Sequence, residues 1–409
     1  MFMIIGIDAS RANRCYKTGT EWYSYYLIKG LSEIDNKNTY WLYSNTPLID
    51  GLDEIVKTKK NFKAKILKWP FCGFWTLGRL SLEMLKFWAR PDVLFIPAHS
   101  LPFFFPKKTL NTVHDIAFTQ EGASYDYPKF FQKNKIIGRL FAGYLKLHFL
   151  LKRRQIKSLS TDYIDWSTES ALLHSKKIIT VSEQTKKEII ATYKTDPAKI
   201  EVVHNGYNDV LYKKVSDSAA MSKVLEKYGL TSGFMLYVGR LEKKKNIAAM
   251  IEAFALLREK HPEIKIKLVL VGMAGYGYDE IKYTVEEYNL NSEISALGWV
   301  PEDDMPYIYN AARVFVFPSH HEGFGIPVIQ ALACGVPAVV SDIPVFREVT
   351  GECALFFDKD DKNDMAEKMF MALSDENLRQ KMITTGYERV KNFSWKKCAA
   401  ETLAVIEKM

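Results

Sequence analysis

Short apolar runs rich in Val, Ile and Leu alternate with segments of helical periodicity, and this alternation occurs twice along the chain. The runs lie at 2–8, 39–45, 92–98 and 110–118 in the first half and at 234–240, 266–272, 314–319 and 337–342 in the second. Strands that are apolar on both faces are typical of parallel sheets covered by helices. The pattern therefore predicts an α/β fold with two Rossmann-like, doubly wound domains.

A cluster of polar residues between 206 and 232 marks the boundary between the two domains. We place the first domain at 1–212 and the second at 213–391. Ser182 stands between a predicted strand and a predicted helix, and its hydroxyl is expected to cap that helix.

Composition limits the class of protein. The chain has 47% hydrophobic and 25% charged residues, which is a globular composition. Its formal net charge of +8 favours anionic partners, namely phosphates, nucleic acid or an acidic membrane surface. Since no motif supports nucleic-acid binding, we expect no nucleic-acid partner.

The cysteines and the longest apolar segments indicate the cellular compartment of the protein. Five scattered cysteines without a CxxC pair disfavour a disulfide framework and a zinc site, and they indicate a reducing compartment. The N-terminal sequence lacks the pattern of a signal peptide. The apolar segments 93–106 and 136–151 are too interrupted for a spanning helix of about 20 residues, so we expect a cytoplasmic protein.

The stretch VFVFPSHHEGFGIPVIQALACG, residues 314–335, predicts a strand, a glycine-rich turn and the start of a helix. Gly323 and Gly325 allow a close approach of backbone to a ligand, and Pro327 suits the first helical position. Unpaired amides at a helix N-terminus favour an anion such as phosphate. Glu322 could accept hydrogen bonds from hydroxyl groups attached to that phosphate, or it could be a solvated charge beside a turn.

A second group of charges follows the strand at 234–240. Arg240 and Lys245 are expected at its carboxyl edge, where open α/β sheets bind their ligands. Two cations there match a diphosphate, because arginine offers a bidentate fork and lysine a point charge. The alternative is a solvated basic loop.

These residues lie in motifs that resemble those of retaining glycosyltransferase family 4. The family has two Rossmann-like domains that face each other across a cleft, an architecture called the GT-B fold. The stretch 297–349 carries the most specific part of the resemblance, and TVHD and VSE are weaker alone. The other matching motifs are TGTEWYSYYL, TVHDIAF, IITVSEQTKKEI, VVHNGYND, YVGRLEKKKNI and FSWKKCAAETL.

The resemblance implies roles for four charged or ionisable residues. Arg240 and Lys245 would grip the diphosphate of a nucleotide-sugar donor, and Glu322 would bind hydroxyl groups of the donor sugar. His114 would act at the donor sugar from the first domain. The last helix, 392–409, is expected to return to that domain.

The resemblance also implies substrate contacts through backbone and small side chains. These contacts fall at Gly19, Phe324, Gly325 and Ile326 for the phosphates and sugar, and at Gly298 and Val300 for the base. The chain departs from the family at Gln330, where the family has a second glutamate that holds the nucleotide ribose. Gln330 is therefore expected to contact the ribose without a charge.

The implied reaction is transfer of a hexosyl group (mannosyl, glucosyl or rhamnosyl), with retention, from a UDP-sugar or a GDP-sugar. The acceptor would be a glycan or a lipid-linked glycan of surface polysaccharide synthesis. We expect no cofactor and no metal, because the triplet Asp358-Lys359-Asp360 is better interpreted as a polar loop that caps a helix. The alternative is a non-catalytic sugar-nucleotide-binding protein that lost turnover at Gln330.

Residues 129–157 contain nine Lys and Arg residues and no acid. Ile137, Phe141 and Leu145 fall on one helical face, together with Leu140 and Tyr144. This profile is typical of a basic amphipathic helix on an anionic bilayer. A core-packing helix with a solvated basic edge, or contacts to an anionic acceptor, would produce the same pattern.

Overall fold

The computed structural model describes residues 2–70, 74–119, 135–152 and 157–409, without the side chains of 135–138 and 140. The chain divides into two compact units. Unit 1 comprises Met1–Gly206 and Trp395–Met409, and unit 2 comprises Tyr207–Ser394. The chain thus passes between the units at 206/207 and 394/395, where the sequence analysis places the boundaries at 212/213 and 391/392.

Unit 1 contains a parallel sheet of seven strands, in the order β3-β2-β1-β4-β5-β6-β7. The strands are β1 Ile4–Asp8, β2 Thr39–Ser44, β3 Phe62–Ile66, β4 Val93–Ile96, β5 Thr109–Val113, β6 Lys177–Thr180 and β7 Ile200–Val202. The order reverses between β1 and β4, which are hydrogen-bonded neighbours with Ile5 opposite Val93. A doubly wound sheet binds its ligands beside such a reversal, at the carboxyl ends of the strands.

Unit 2 contains a parallel sheet of six strands, in the order β10-β9-β8-β11-β12-β13. The strands are β8 Phe234–Val238, β9 Leu268–Val271, β10 Ile294–Gly298, β11 Ala312–Phe317, β12 Ala338–Ser341 and β13 Ala354–Phe357. Here the reversal lies between β8 and β11, where Val314 pairs with Met235. The prediction of two doubly wound α/β domains is confirmed.

Helices occupy most of the connections between strands. Those of unit 1 are α1 Gly19–Ile34, α2 Leu52–Thr58, α3 Ser81–Met84, α4 Lys135–Leu151, α5 Leu159–His174 and α6 Glu183–Tyr193. Those of unit 2 are α7 Ser218–Lys227, α8 Ile247–Lys260, α9 Tyr278–Glu287, α10 Met305–Ala311, α11 Ile326–Ala333, α12 Pro344–Thr350, α13 Lys362–Ser374 and α14 Glu376–Val390. The last helix, α15 Trp395–Glu407, belongs to unit 1. Within the described ranges, every helix is too short or too polar to cross a bilayer.

Polar caps start several helices, as the sequence predicts. Ser182 Oγ accepts a hydrogen bond from the amide of Thr185 at the start of α6, so the predicted cap is confirmed. Asp361 caps α13 by accepting from the amides of Asn363 and Asp364. The amide of Asp360 donates to Asp358 Oδ1 at 2.9 Å. The interpretation of this stretch as a helix-capping loop is therefore correct.

α15 packs along α1 within unit 1. The indole of Trp395 stacks on the ring of Tyr26, with ring centroids 5.4 Å apart. A Cβ atom added at Gly30 would lie 2.8 Å from Ala399 Cβ, so the small residue lets the two helices approach closely. Part of unit 1 is thus built from the last residues of the chain.

Helix α4 contains the apolar residues that the sequence analysis assigned to a possible membrane face, and two of them face the core of unit 1 instead. Phe141 and Leu145 on α4 pack inward, against a cluster that contains Leu77 and Trp166. For these two residues the core-packing alternative is the correct one. Residues 129–134 and 153–156 of the predicted basic segment, and the side chains of Ile137 and Leu140, lie outside the described residues.

Candidate functional site

The carboxyl edge of the unit 2 sheet carries the charged residues singled out in the sequence. The loop after β8 contains Arg240 and Lys245, and the loop after β11 contains Glu322. β8 and β11 are the two strands at which the strand order reverses. The two loops are joined by a hydrogen bond from the amide of His320 to the carbonyl of Lys244 at 3.2 Å.

Lys245 and Glu322 form an ion pair, in which Lys245 Nζ donates to Glu322 Oε1. Ser319 Oγ donates to the same oxygen at 2.8 Å. Both charged side chains are only 13% exposed, and Ser319 is fully buried. Among the described residues, no hydrogen bond to Glu322 Oε2 is present, so that oxygen can accept from a ligand.

Arg240 has a different environment from Lys245. Its side chain is 47% exposed, and its Nε lies 3.6 Å from Glu242 Oε2. A Cβ atom at Gly275 would lie 3.3 Å from Arg240 Nη2, so the neighbouring loop limits the space around the guanidinium. The structure therefore brings Lys245 together with Glu322 and leaves Arg240 at the surface of the same edge.

The turn before α11 has the geometry of an anion site. Gly325 is the residue before the first helical residue, Ile326, and its φ of 99° lies in the left-handed region that favours glycine. A side chain at this position would also meet the ring of Phe346 at 2.9 Å. Pro327 is the second helical residue, and the amides that open α11 point out of the helix.

Phe324 does not face solvent. Its ring is 3% exposed and packs edge-on against Phe393, with ring centroids 5.5 Å apart. The residue as a whole is this buried, so the backbone contact with a phosphate or sugar that the resemblance implies stays a prediction.

Gln330 lies one turn into α11 and contacts a buried tyrosine. Tyr309 Oη is 3.3 Å from Gln330 Oε1 and 3.4 Å from the carbonyl of Pro327, so its hydroxyl can donate to either. Burial raises the pKa of Tyr309 well above its ordinary value, which keeps the hydroxyl protonated as a donor. With its carbonyl oxygen turned to Tyr309, Gln330 presents its NH₂ group as the remaining polar group.

Gly298 and Val300 lie at the carboxyl end of β10. Gly298 has a φ of 70°, and a Cβ atom added there would meet nothing within 4 Å. Val300 is buried. The backbone at Gly298 is thus open to a planar group, which is compatible with the implied contact to a base.

The carboxyl edge of the unit 1 sheet holds the other two predicted site residues. His114 follows β5; its Nε2 lies 3.2 Å from the carbonyl of Pro97, and its ring meets that of Tyr23 edge-on. Burial lowers the pKa of His114, so the ring is neutral near pH 7. Gly19 is the exposed first residue of α1, with open space beside its Cα.

Two further residues at this edge escaped the sequence reasoning. Arg11 lies in the loop after β1, with Nη1 3.8 Å from Glu21 Oε1. His99 lies in the loop after β4, and burial, followed by the charges of Arg11 and His114, lowers its pKa to about 3. Both loops flank the reversal of strand order, and this position was the signal that could have identified them.

The arrangement at the unit 2 edge is suited to stabilising a negative charge. Two cations and the amides that open α11 can share an anion, and one carboxylate oxygen remains for hydroxyl groups. The neutral imidazoles at the unit 1 edge can donate or accept hydrogen bonds without bringing a charge.

Two family models match the chain. The model described as Glycosyltransferase Family 4 matches residues 18–210, and the one described as Glycosyl transferases group 1 matches residues 220–389. The chain belongs to glycosyltransferase family 4. The glycosyltransferase is 28% identical to O-antigen chain mannosyltransferase B of Escherichia coli, over 94% of its own length and 95% of that protein.

Two other comparisons extend the relationship. O-antigen chain mannosyltransferase RfbU of Salmonella typhimurium is 26% identical over 75% of this glycosyltransferase and 71% of the relative. The solved sucrose-phosphate synthase of Thermosynechococcus elongatus superposes with a TM-score of 0.71 at 17% identity, covering 99% and 98% of the two chains. The GT-B fold is thus confirmed, and the relatives do not favour a non-catalytic binding protein.

Proposed function

We propose that this glycosyltransferase moves a hexosyl group from a nucleoside diphosphate sugar to a glycan or glycolipid acceptor of surface polysaccharide synthesis, with retention at the anomeric carbon. The pairing of Lys245 with Glu322 at the unit 2 edge carries this proposal, because it sets a cation for phosphate beside an acceptor for sugar hydroxyls. Two relatives named O-antigen chain mannosyltransferases support mannosyl as the first candidate among the hexoses.

In the proposed reaction, the bond between the anomeric carbon and the diphosphate oxygen breaks. The electron pair of that bond goes to the leaving diphosphate, whose negative charge grows as the bond lengthens. Arg240, Lys245 and the amides that open α11 stabilise this charge. Preorganised donors of this kind are each worth about 10²-fold to 10³-fold in rate.

Glu322 positions the donor sugar in this proposal. Its Oε1 is held by Lys245 and Ser319, while Oε2 accepts from sugar hydroxyl groups. When a diphosphate binds, the ammonium of Lys245 shares its donors between the carboxylate and a phosphate oxygen. The buried position of the pair strengthens both interactions.

Retention is proposed to follow attack from the face of the leaving group. The acceptor oxygen forms the new bond to the anomeric carbon, and its proton passes to the departing diphosphate oxygen. A double displacement would need a carboxylate close to the anomeric carbon. In this scheme Glu322 Oε1 is held by Lys245 and Ser319 and Oε2 by sugar hydroxyl groups, so neither oxygen acts as the nucleophile.

The acceptor is proposed to bind at the unit 1 edge, where His114, His99 and Arg11 lie. The neutral ring of His114 would orient a hydroxyl group by a hydrogen bond. No cofactor or metal is required in this scheme, because side chains and amides supply the positive charge. The four described cysteines are free thiols, which supports a reducing, cytoplasmic setting.

The experiment that tests the proposal is a donor screen. The purified chain is incubated with UDP-linked and GDP-linked hexoses, with and without acceptor glycans, in the presence of a chelator, and nucleotide release is measured. We expect release with a mannosyl donor, lost in Glu322→Ala and in Arg240→Ala. Full activity in either variant, or tight donor binding without release under every acceptor condition, would overturn the proposal.

A further inference from the structure

Arg11 carries hydrogen-bond donors that the described part of the protein does not use. It lies in the loop 9–18 after β1, and its side chain is 36% exposed. Within the described ranges its guanidinium makes no hydrogen bond, and its one ion pair there is with Glu21 Oε1, 3.8 Å from Nη1. A guanidinium has five N–H groups, and partly buried polar groups normally find acceptors. Arg11 is therefore suited to bind a ligand.

The two acids that flank Arg11 in the sequence serve other donors. Glu21 Oε2 accepts from the amide, at 3.2 Å, and from the hydroxyl of the residue that caps α1. Asp8 Oδ1 accepts from Trp75 Nε1 and Asp8 Oδ2 accepts from Thr76 Oγ1, both at 2.9 Å. The guanidinium thus has a weak contact with one carboxylate and keeps its fork of donors.

The loop that carries Arg11 is fixed at two points. The side-chain amide of Asn13, which is buried, donates to Ser44 Oγ and to a carbonyl of the loop after β2, both at 2.9 Å. Lys17 Nζ donates to Asp50 Oδ2 at 2.8 Å, and the lysine side chain is only 3% exposed. The backbone around Arg11 is thus preorganised, and a preorganised site loses less entropy when a ligand binds.

Arg11 lies near the neutral imidazoles of the same sheet edge. Burial is the largest cause that lowers the pKa of His99 and of His114, and the charge of Arg11 adds to it in both. Asp115 acts in the opposite direction, and its Oδ1 accepts from the amide of Ala117 at 3.1 Å. Neutral imidazoles can bind hydroxyl groups without competing with the guanidinium for an anion.

The chemistry of the guanidinium indicates the charge of its ligand. Its planar fork matches the two oxygens of a carboxylate or a phosphate. A neutral hydroxyl group could accept from one N–H, but an anion also compensates the positive charge, and partial burial strengthens that attraction. A site with Arg11 beside His99 and His114 is therefore suited to a sugar that carries an anionic group.

We propose that Arg11 binds an anionic group of the acceptor, so that the preferred acceptor is an acidic glycan with a carboxylate or a phosphate close to the hydroxyl group that receives the hexosyl residue. This choice of acceptor class rests on the proposed function, which puts the acceptor at the unit 1 edge. His99 and His114 bind hydroxyl groups of the same sugar. The anionic group is held by the arginine and takes no part in the bond changes.

The first test measures binding without a donor, by saturation-transfer NMR on the full chain. The probes are methyl glucoside, methyl glucuronoside and glucose 6-phosphate, which carry a hydroxymethyl group, a carboxylate and a phosphate at the same position of one hexose. We expect at least one charged probe to bind at least about tenfold more tightly than the neutral one. Arg11→Gln should remove this difference, and Arg11→Lys should keep part of it, because lysine retains the charge without the planar fork.

The second test uses the same probes as acceptors, with the donor that the screen identifies. The ratio of kcat/KM between the charged and the neutral probe should fall towards one in Arg11→Gln, mainly through KM. The matched control is Arg14→Gln, which removes the same charge from an exposed position of the same loop. In this control the ratio should stay within about threefold of that of the unchanged chain, because exposed charges contribute little.

Four results would overturn the assignment of Arg11. They are equal binding of all three probes, no binding of either charged probe, an equal loss in Arg14→Gln, and a weaker affinity of Arg11→Gln for UDP or GDP, which would put the arginine at the donor. Thermal unfolding of each variant checks that the fold is intact. Charged-probe binding that depends on Arg11, without nucleotide release in the donor screen, would contradict the proposed function and leave the anion site standing. Equal turnover of charged and neutral acceptors would do the reverse.

Discussion

Lys245 and Glu322 are 77 positions apart in the chain, and they meet at the carboxyl edge of the unit 2 sheet as a largely buried ion pair. Breaking a buried pair by removing one partner leaves an uncompensated charge. Glu322→Ala is therefore expected to lower the free energy of unfolding by about 3 kcal/mol, in addition to its loss of activity. Urea denaturation measures the first effect and nucleotide release the second.

An exposed ion pair of the same unit serves as the control for this prediction. Glu280 Oε2 lies 3.1 Å from Lys243 Nζ, and both side chains are largely exposed. Glu280→Ala should change the free energy of unfolding by no more than about 1 kcal/mol. Equal losses in the two variants would show that the Lys245–Glu322 pair is not special for stability.

Gln330→Glu restores the residue that the family signature has at this position. The carboxylate could still accept from Tyr309, and its second oxygen would accept from a ribose hydroxyl as a charged group. Charge-assisted hydrogen bonds are about twice as strong as neutral ones, so we expect donor affinity to rise by about tenfold. Calorimetric titration with the nucleoside diphosphate measures the change.

The partner of Gln330 offers a check on that reasoning. Tyr309→Phe removes the hydroxyl that turns the Gln330 amide inward. Glutamine in this background can rotate to present its oxygen, so the gain from Gln330→Glu should become smaller than in the unchanged chain. An equal gain in both backgrounds would contradict a role for Tyr309.

Gly272 lies so close to the backbone of Gly239 that no side chain fits at Gly272. A Cβ atom at Gly272 would lie 1.9 Å from the carbonyl oxygen of Gly239, and the φ of Gly272 is 145°. Gly272→Ala is expected to lower the free energy of unfolding by at least about 3 kcal/mol, among the larger effects of single substitutions.

Replacement of a glycine without such a contact is expected to raise the free energy of unfolding instead. Gly143 lies in α4, and a Cβ atom added there would meet nothing within 4 Å. Alanine favours the helix over glycine, so Gly143→Ala should raise the free energy of unfolding by about 0.5–1 kcal/mol. Denaturation curves of the two variants, recorded side by side, test both values.

The lowered pKa of His99 predicts that the free energy of unfolding depends on pH. Burial, with Arg11 and His114 nearby, lowers its pKa from 6.5 to about 3 in the fold, while Asp115 acts in the opposite direction. Between these values the unfolded chain binds the proton and the folded chain does not, so stability falls as pH falls from about 6.5 towards 3. His99→Gln should flatten this slope by up to about 1.4 kcal/mol per pH unit. Identical slopes in urea denaturation across this range would contradict the prediction.

The strands of both sheets could be predicted from the sequence because they are buried on both faces. The run at 337–342, for example, becomes β12, whose residues Ala338–Ser341 are all buried. Ser182 could be predicted as a cap because its partner amide is only three residues away. Local chemistry of this kind depends on few residues and on no long-range contact.

Contacts between distant segments could not be predicted from the sequence. The residues around Glu322 in the sequence do not indicate that Lys245, rather than Arg240, donates to its Oε1. The partner depends on the paths of the loops that follow β8 and β11. For a related reason, the sequence left the orientation of α4 open between a membrane face and core packing. Apolar residues occur on two of its faces, and only the position of Trp166 decides that Phe141 and Leu145 face inward.

The stacking of Trp395 on Tyr26 and the contact of Ala399 with Gly30 have a consequence for biosynthesis. The surface of α1 that α15 covers stays bare until residues 395–407 have left the ribosome, after all of unit 2 has been made. The unit that starts first therefore receives its last helix only after unit 2 has been made, and until then Tyr26 and Gly30 lack the contacts that α15 provides.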